Sequence, residues 1–148
     1  MGLRNLLLKN EIDMVAAVGM LSAGEYDYVL EDVQKVAEAV HQSGGILKVI
    51  LETGLLTRHE KIMGCLSCQA AGADFVKTST GFFKGGATVN DIGLMRRVLG
   101  PESSMGVKAS GGIRSLADAM CMLAAGANRI GTSRGAQILD EYQSSVSS

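Results

Sequence analysis

Tryptophan is absent from this chain, and three phenylalanines and three tyrosines make up its aromatic content. That is too little to build a platform on which nucleobases stack. Charge points the same way: 14 basic against 15 acidic residues leave a formal net charge of −1, with no broad basic footprint for nucleic acid. Proline occurs once, at Pro101, against 19 glycines. Glycine without proline marks tight junctions between regular elements rather than a disordered linker. Three cysteines are an odd number and too few for a disulfide framework, and with no leader signature they suit a reducing, cytoplasmic setting. The apolar run at Leu6-Leu7-Leu8 is too short to span a bilayer, so no membrane partner is expected. Cys65-Leu66-Ser67-Cys68 has the CxxC spacing, but no second pair or histidine set accompanies it. It reads as a packed or surface thiol pair rather than a zinc or redox centre. His41 and His59 read as surface residues near helix ends.

What is present is an alternation. At 148 residues, 47% of them hydrophobic, one domain over 1–148 is expected. Residues 1–10 read as a lead, 11–142 as βα units, and 143–148 as a polar, flexible tail. Buried strands are predicted at Ile12–Val18, Ile46–Glu52, the stretch around Phe75-Val76-Lys77, Met105–Ala109 and Asn128–Thr132. A turn is predicted over Gly19–Gly24. From Glu25 to His41 the valines 29, 33, 36 and 40 recur at helical spacing. Thr57 with Glu60, Thr88 with Asp91 and Ser115 with Asp118 have the spacing of helix N-terminal caps. A last short helix is predicted over Gly135–Tyr142. Five strands, each followed by a helix, mean a parallel α/β sheet with right-handed crossovers. An internal echo supports repeated units: Ala70-Ala71-Gly72-Ala73-Asp74 leads into Thr78-Ser79 as Ala124-Ala125-Gly126-Ala127-Asn128 leads into Thr132-Ser133.

Active sites of parallel α/β sheets lie at the C-terminal strand ends. Those ends carry Asp13, Glu52, Lys77, Lys108 and the Gly131-Thr132-Ser133 turn. Asp13, Lys77 and Lys108 fall inside apolar strands, where a charge needs a partner. Two lysines at equivalent places support Schiff-base chemistry, because a second cation lowers the pKa of the first and frees its amine. Either lysine can play either part on this evidence, and Asp13 is placed to move a proton. The bland alternative is one buried ion pair and one surface lysine. Thr78, Ser79 and Thr80 are candidates to orient a hydroxylated substrate. Gly111-Gly112 and Gly131-Thr132-Ser133 each precede a helix, an arrangement suited to phosphate, with Gly81 and Lys84 as further candidates.

With these residues laid out, the sequence resembles the deoxyribose-phosphate aldolases, a family of class I aldolases. The carrying stretches are Glu11-Ile12-Asp13-Met14-Val15, Leu47-Lys48-Val49-Ile50-Leu51-Glu52-Thr53-Gly54, Asp74-Phe75-Val76-Lys77-Thr78-Ser79-Thr80-Gly81, Gly106-Val107-Lys108-Ala109-Ser110-Gly111-Gly112-Ile113-Arg114 and Arg129-Ile130-Gly131-Thr132-Ser133. The resemblance implies reversible cleavage of 2-deoxy-D-ribose 5-phosphate to D-glyceraldehyde 3-phosphate and acetaldehyde. It implies Lys77 as the Schiff-base lysine, Lys108 as the lysine that perturbs it and Asp13 as the proton-transfer carboxylate. It implies phosphate contacts from Gly111, Gly112, Gly131, Thr132 and Ser133, and no metal or organic cofactor. It also implies a partial TIM barrel: five βα units corresponding to the family's strands four to eight, in a fold that typically needs about 250 residues. Five strands leave two open edges. Two expectations follow, that copies of the chain associate as a homodimer or larger oligomer to cover them, or that the sheet opens into a flavodoxin-like arrangement. A non-catalytic phosphometabolite-binding or partner module is the alternative to an enzyme.

Overall fold

The computed structural model describes residues 10–147, so the lead expected over residues 1–10 lies outside the described residues apart from Asn10. The elements run β1 (Glu11–Val15), α1 (Val18–Ala23), α2 (Tyr26–Gln42), β2 (Ile46–Ile50), a 3-10 turn (Thr53–Leu55), α3 (Arg58–Ala70), β3 (Phe75–Lys77), α4 (Val89–Leu99), β4 (Gly106–Ser110), α5 (Leu116–Ala125), β5 (Arg129–Gly131) and α6 (Gly135–Val146). All four strand pairings are parallel, and the spatial order is the sequence order, β1-β2-β3-β4-β5. A doubly wound sheet reverses direction at a switch point. This one never reverses, which overturns the flavodoxin-like expectation. It is the winding of a TIM barrel, of which five βα units form an arc that does not close.

Unreversed right-handed crossovers put the helices on one face of the sheet. α2 packs on α3, α3 on α4, α4 on α5 and α5 on α6. Leu47, Val49 and Leu51 of the β2 segment, Val76, and Val107 and Ala109 meet Val29, Val33, Cys65, Cys68, Ile92 and Met95 in one buried cluster. Burying each Val or Leu is worth roughly 1.5–3 kcal/mol, and the cluster is what holds the arc. Cys65 and Cys68 are therefore packed thiols, and burial pushes Cys65 up to about 12. Among the described residues no helix is long and apolar enough to cross a membrane.

The predicted caps are present. Thr57 with Glu60 and Ser115 with Asp118 form reciprocal capping boxes, and the Thr88 hydroxyl accepts from the Asp91 N–H. The internal echo also has a structural counterpart. Asp74 Oδ2 accepts from the Leu47 N–H at 2.7 Å, and Asn128 Oδ1 accepts from the Val107 N–H at 2.9 Å. Each side chain ties the start of one strand to its predecessor. Arg96 reinforces the second joint through the carbonyls of Gly126 and Met105 and the amide oxygen of Asn128.

Four expectations are corrected. Ile12–Val18 is not a buried strand: β1 ends at Val15, and Ile12 and Val15 are exposed, because among the described residues β1 pairs with β2 alone. Gly19–Gly24 is not simply a turn, since α1 spans Val18–Ala23 and seats Leu21 against Gly64 of α3, where an added Cβ would lie 3.4 Å from Leu21 Cδ1 and 3.2 Å from Leu51 Cδ2. Val36 is only partly buried, and Ala37 lies deeper on α2. α6 runs to Val146, so residues 143–146 continue a helix rather than form a tail.

Candidate active site

Side chains alternate across a strand, so residues two apart share a face. The face of the arc turned away from the helices collects Glu11 and Asp13 from β1, Lys48 from β2, Phe75 and Lys77 from β3, Lys108 from β4 and Arg129 from β5. The Lys77 ammonium donates to Asp13 Oδ2 at 2.8 Å, and Lys48 donates to Asp13 Oδ1 at 2.8 Å. Lys108 lies beside Lys77 in register, its Nζ 3.8 Å from the same Oδ2. The three charges singled out from the sequence therefore converge, and both lysines point to one side of the sheet. Arg129 pairs with Glu11 at 2.5 Å and stacks 4.8 Å over the Phe75 ring. Since β1 and β5 are the outermost strands, that ion pair spans the hollow of the arc.

The charges set one another's proton affinity. Burial pushes the Asp13 carboxyl up, but hydrogen bonds from Lys48 and Lys77, with the charges of Lys77 and Lys108, outweigh it and hold the group at about 2. Lys108 is moved below the ordinary lysine value, first by burial and then by Lys77, Lys48 and Arg129, against the pull of Asp13. Asp13 is thus a firm anion, and Lys108 an ammonium that gives up its proton more readily than usual.

A cavity of about 650 Å³ opens at the C-terminal ends of β3, β4 and β5. Its lining joins Lys77 and Lys108 to Gly81, Gly111, Gly112, Gly131, Thr132 and Ser133, all singled out from the sequence. Arg114 and Arg134 also line it, giving four cationic side chains and no carboxylate in the lining. Gly111 and Gly112 both have positive φ, +88° and +78°. Positive φ at two successive residues is open to glycine and strained for other residues, so this turn in the cavity lining depends on both glycines. Asp13 reaches the cavity only through Lys77 and Lys108.

Thr78 is not a pocket residue. It follows Lys77 and so faces the opposite way, fully buried, where its hydroxyl donates to the Ser110 carbonyl at 2.8 Å and accepts from the Ser110 N–H at 3.0 Å. Ser79 is likewise buried, its hydroxyl without a partner, and Lys84 lies outside the lining. Thr80 does line the cavity. Its hydroxyl and N–H both donate to Glu52, at 2.5 and 3.2 Å. Glu52 is buried with φ +57°, a strained value for a non-glycine residue, and holds the Thr80-Gly81 turn at the cavity rim.

The residue that the sequence reading missed is Lys48, 3% exposed on β2 and opposite Asp13 in register. The signal was available. Lys48 interrupts Ile46-Leu47-Lys48-Val49-Ile50 as Lys77 ends Phe75-Val76-Lys77. Arg129, on the same face, was missed for want of a neighbour to pair it with. Among the described residues no group of three or more His, Cys, Asp or Glu side chains gathers where it would hold a metal ion.

Comparisons with known proteins point to one family. A family model described as DeoC/LacD family aldolase matches residues 8–141. The chain is 56% identical over 131 residues to the deoxyribose-phosphate aldolase of Thermococcus gammatolerans, covering 88% of this chain and 57% of that one. It is 57% identical over 134 residues to the deoxyribose-phosphate aldolase of Caldanaerobacter subterraneus, covering 90% and 57%. The solved deoxyribose phosphate aldolase from Aeropyrum pernix, described as having a unique tetrameric structure, superposes with a TM-score of 0.81 at 35% identity, covering 90% of this chain and 55% of its own. The chain thus spans somewhat under three-fifths of the length of these relatives. Its carboxylate-bound lysine pair, its cationic glycine-lined cavity and a family match over nearly its whole length lead to one assignment: the chain belongs to the DeoC/LacD family of aldolases.

Proposed function

We propose that this chain cleaves 2-deoxy-D-ribose 5-phosphate reversibly to D-glyceraldehyde 3-phosphate and acetaldehyde, with Lys77 as the Schiff-base nucleophile. The observation that carries the reading is that one cavity holds two complementary ends. A lysine pair sharing Asp13 Oδ2 suits an aldehyde, and a carboxylate-free end lined by Gly111, Gly112, Thr132, Ser133 and Arg134 suits a phosphate. The name shared by the relatives supports the choice of sugar.

In this reading the Lys108 ammonium first gives its proton to solvent, its neutral amine then accepts the Lys77 proton across the shared Asp13 oxygen, and the freed Lys77 amine adds to C1 of the open-chain sugar. The carbinolamine hydroxyl leaves as water on protonation by the same pair. The iminium draws in the C2–C3 bonding electrons as the C3 hydroxyl gives its proton to the Lys108 amine, left neutral by the preceding step, and the phosphorylated aldehyde departs. Protonation of the enamine at C2 and hydrolysis release acetaldehyde and restore Lys77. The iminium is the electron sink, so the scheme calls for no metal or organic cofactor.

The partners in this reading are the phosphorylated sugar and further copies of the chain, with no nucleic acid or membrane. β1 and β5 each have one strand neighbour, and unpaired edges need cover. A homodimer or larger assembly acting in the cytoplasm, each chain one α/β domain, answers that need. A second reading is a non-catalytic phosphometabolite binder. It draws on one observation: the anion-binding end is built wholly from the β3, β4 and β5 loops, whereas Asp13 stands on the open edge strand β1.

Borohydride reduction in the presence of acetaldehyde separates the two readings. An ethyl adduct on Lys77, absent from Lys77→Ala, supports the aldolase. Thermal stabilisation by inorganic phosphate without any Lys77 adduct supports the binder and sinks the enzyme.

A further inference from the structure

Lys48 is the most enclosed charge on the inner face, its side chain 4% exposed, and it does not line the cavity. Its ammonium lies 2.8 Å from Asp13 Oδ1 and 3.4 Å from Glu11 Oε2. Three ammonium groups thus compete for two carboxylate oxygens. Lys48 holds Oδ1, Lys77 holds Oδ2 at 2.8 Å, and Lys108 is left 3.8 Å from that same oxygen.

We infer that Lys48 is a positioning residue: by occupying Oδ1 it makes Lys77 and Lys108 share a single oxygen, and so keeps Lys108 from closing an ion pair of its own with Asp13. The reasoning is geometric. Asp13 stands opposite Lys48 in the β1–β2 register, and Glu11 on the same strand holds the ammonium from its other side. A lysine so buried has no solvent to compete for it, and so stays on its carboxylates. Were Oδ1 free, rotation of the carboxylate would give Lys77 and Lys108 one oxygen each. The asymmetry between a tightly held and a loosely held amine would then vanish.

The charges facing Lys108 come from every neighbouring strand: Asp13 on β1, Lys48 on β2, Lys77 on β3 and Arg129 on β5. Arg114 and Arg134 stand on the loops around the cavity. Removing Lys48 therefore does two things. It removes a like charge, and it opens an oxygen. Only the second depends on Asp13, and this separates the inference from a simple loss of charge. The functional consequence, a Lys108 able to take the Lys77 proton, rests on the aldolase reading. The seating of Lys108 does not.

The test uses the full chain with its lysines followed by NMR. The Lys108 titration midpoint is compared between the unsubstituted chain and Lys48→Met, and again between Asp13→Asn and the Lys48→Met/Asp13→Asn double variant. The expected result is a rise of about one pH unit when Asp13 is present, and a clearly smaller rise when it is asparagine. Equal rises in the two backgrounds, or no rise, would overturn the inference. Lys48→Gln, which keeps a donor but drops the charge and shortens the reach, runs the same comparison should the methionine variant not fold. If Lys77 of the unsubstituted chain forms no adduct with acetaldehyde, the aldolase reading falls while the titration still decides the role of Lys48. If both hold, the pH profile of adduct formation moves upward with the Lys108 midpoint.

Discussion

Gly131 faces the stem of Lys108 at the C-terminal end of the neighbouring strand: a Cβ added to Gly131 would lie 3.3 Å from Lys108 Cε and 3.0 Å from the Ser110 Cβ. The glycine leaves the space through which the lysine reaches the cavity. Gly131→Ala should leave the fold intact and push the Lys108 ammonium off its place. On the proposed aldolase reading, a displacement of this kind should lower turnover by about 10- to 100-fold. Steady-state cleavage kinetics set beside a circular dichroism melt check this. A variant as active as the parent would show that Lys108 has room to spare.

Thr78 joins β3 to β4 through two hydrogen bonds with the Ser110 backbone, both fully buried. Thr78→Val keeps the shape and leaves the Ser110 N–H and carbonyl without those partners. The expected loss is about 1–3 kcal/mol of stability, read from urea unfolding. KM for the sugar phosphate should change little, because the side chain faces away from the cavity. A large KM effect with unaltered stability would return Thr78 to the substrate side.

Asp13 makes the arc sensitive to acid. Its carboxyl is held at about 2, against an ordinary 3.8, so the folded chain binds its proton less readily than the unfolded chain. A group depressed in this way stabilises the fold above the unfolded value, and that contribution disappears as pH falls from near 4 through 2. The stability gap between the parent and Asp13→Asn should therefore narrow steadily over that window. Urea midpoints taken at a series of pH values measure it, and a gap independent of pH would contradict the network.

Arg134 enters the cavity wall at the start of α6, while Lys77 stands at its other end. If the proposed substrate is right, Arg134→Gln should weaken capture of the phosphorylated sugar by about 10-fold, the scale of one charge-assisted hydrogen bond. Activity on unphosphorylated 2-deoxyribose should stay nearly constant. Comparing kcat/KM for the two sugars isolates the effect. Equal losses on both would mean that Arg134 acts on the fold and not on the anion.

Much of this architecture was legible residue by residue. Thr57 and Glu60, or Ser115 and Asp118, announce a helix start because a capping box is local chemistry within four residues. Lys77 and Lys108 stood out because a charge inside an apolar run is rare. Other features were illegible for the same local reason. β1 has the composition of an inner strand, and its exposure comes from having β2 as its single strand neighbour among the described residues. Thr78 has the hydroxyl of a substrate contact, and only the alternation of β3 turns it inward. Val18–Ala23 has the glycine content of a turn, yet Leu21 docks on Gly64, more than forty positions away, and folds the segment into a helix.

The amino-acid order by itself determined five βα units, where their helices begin, and which glycines and lysines stand at the strand ends, because each of those depends on neighbours a few positions apart. The tertiary structure decided which charges meet. Asp13 finds Lys48, Lys77 and Lys108 at separations of 35, 64 and 95 positions, and Arg129 reaches Glu11 across the whole arc. Those meetings follow from parallel register and from the curvature of the sheet, and neither is encoded at any one of the residues involved.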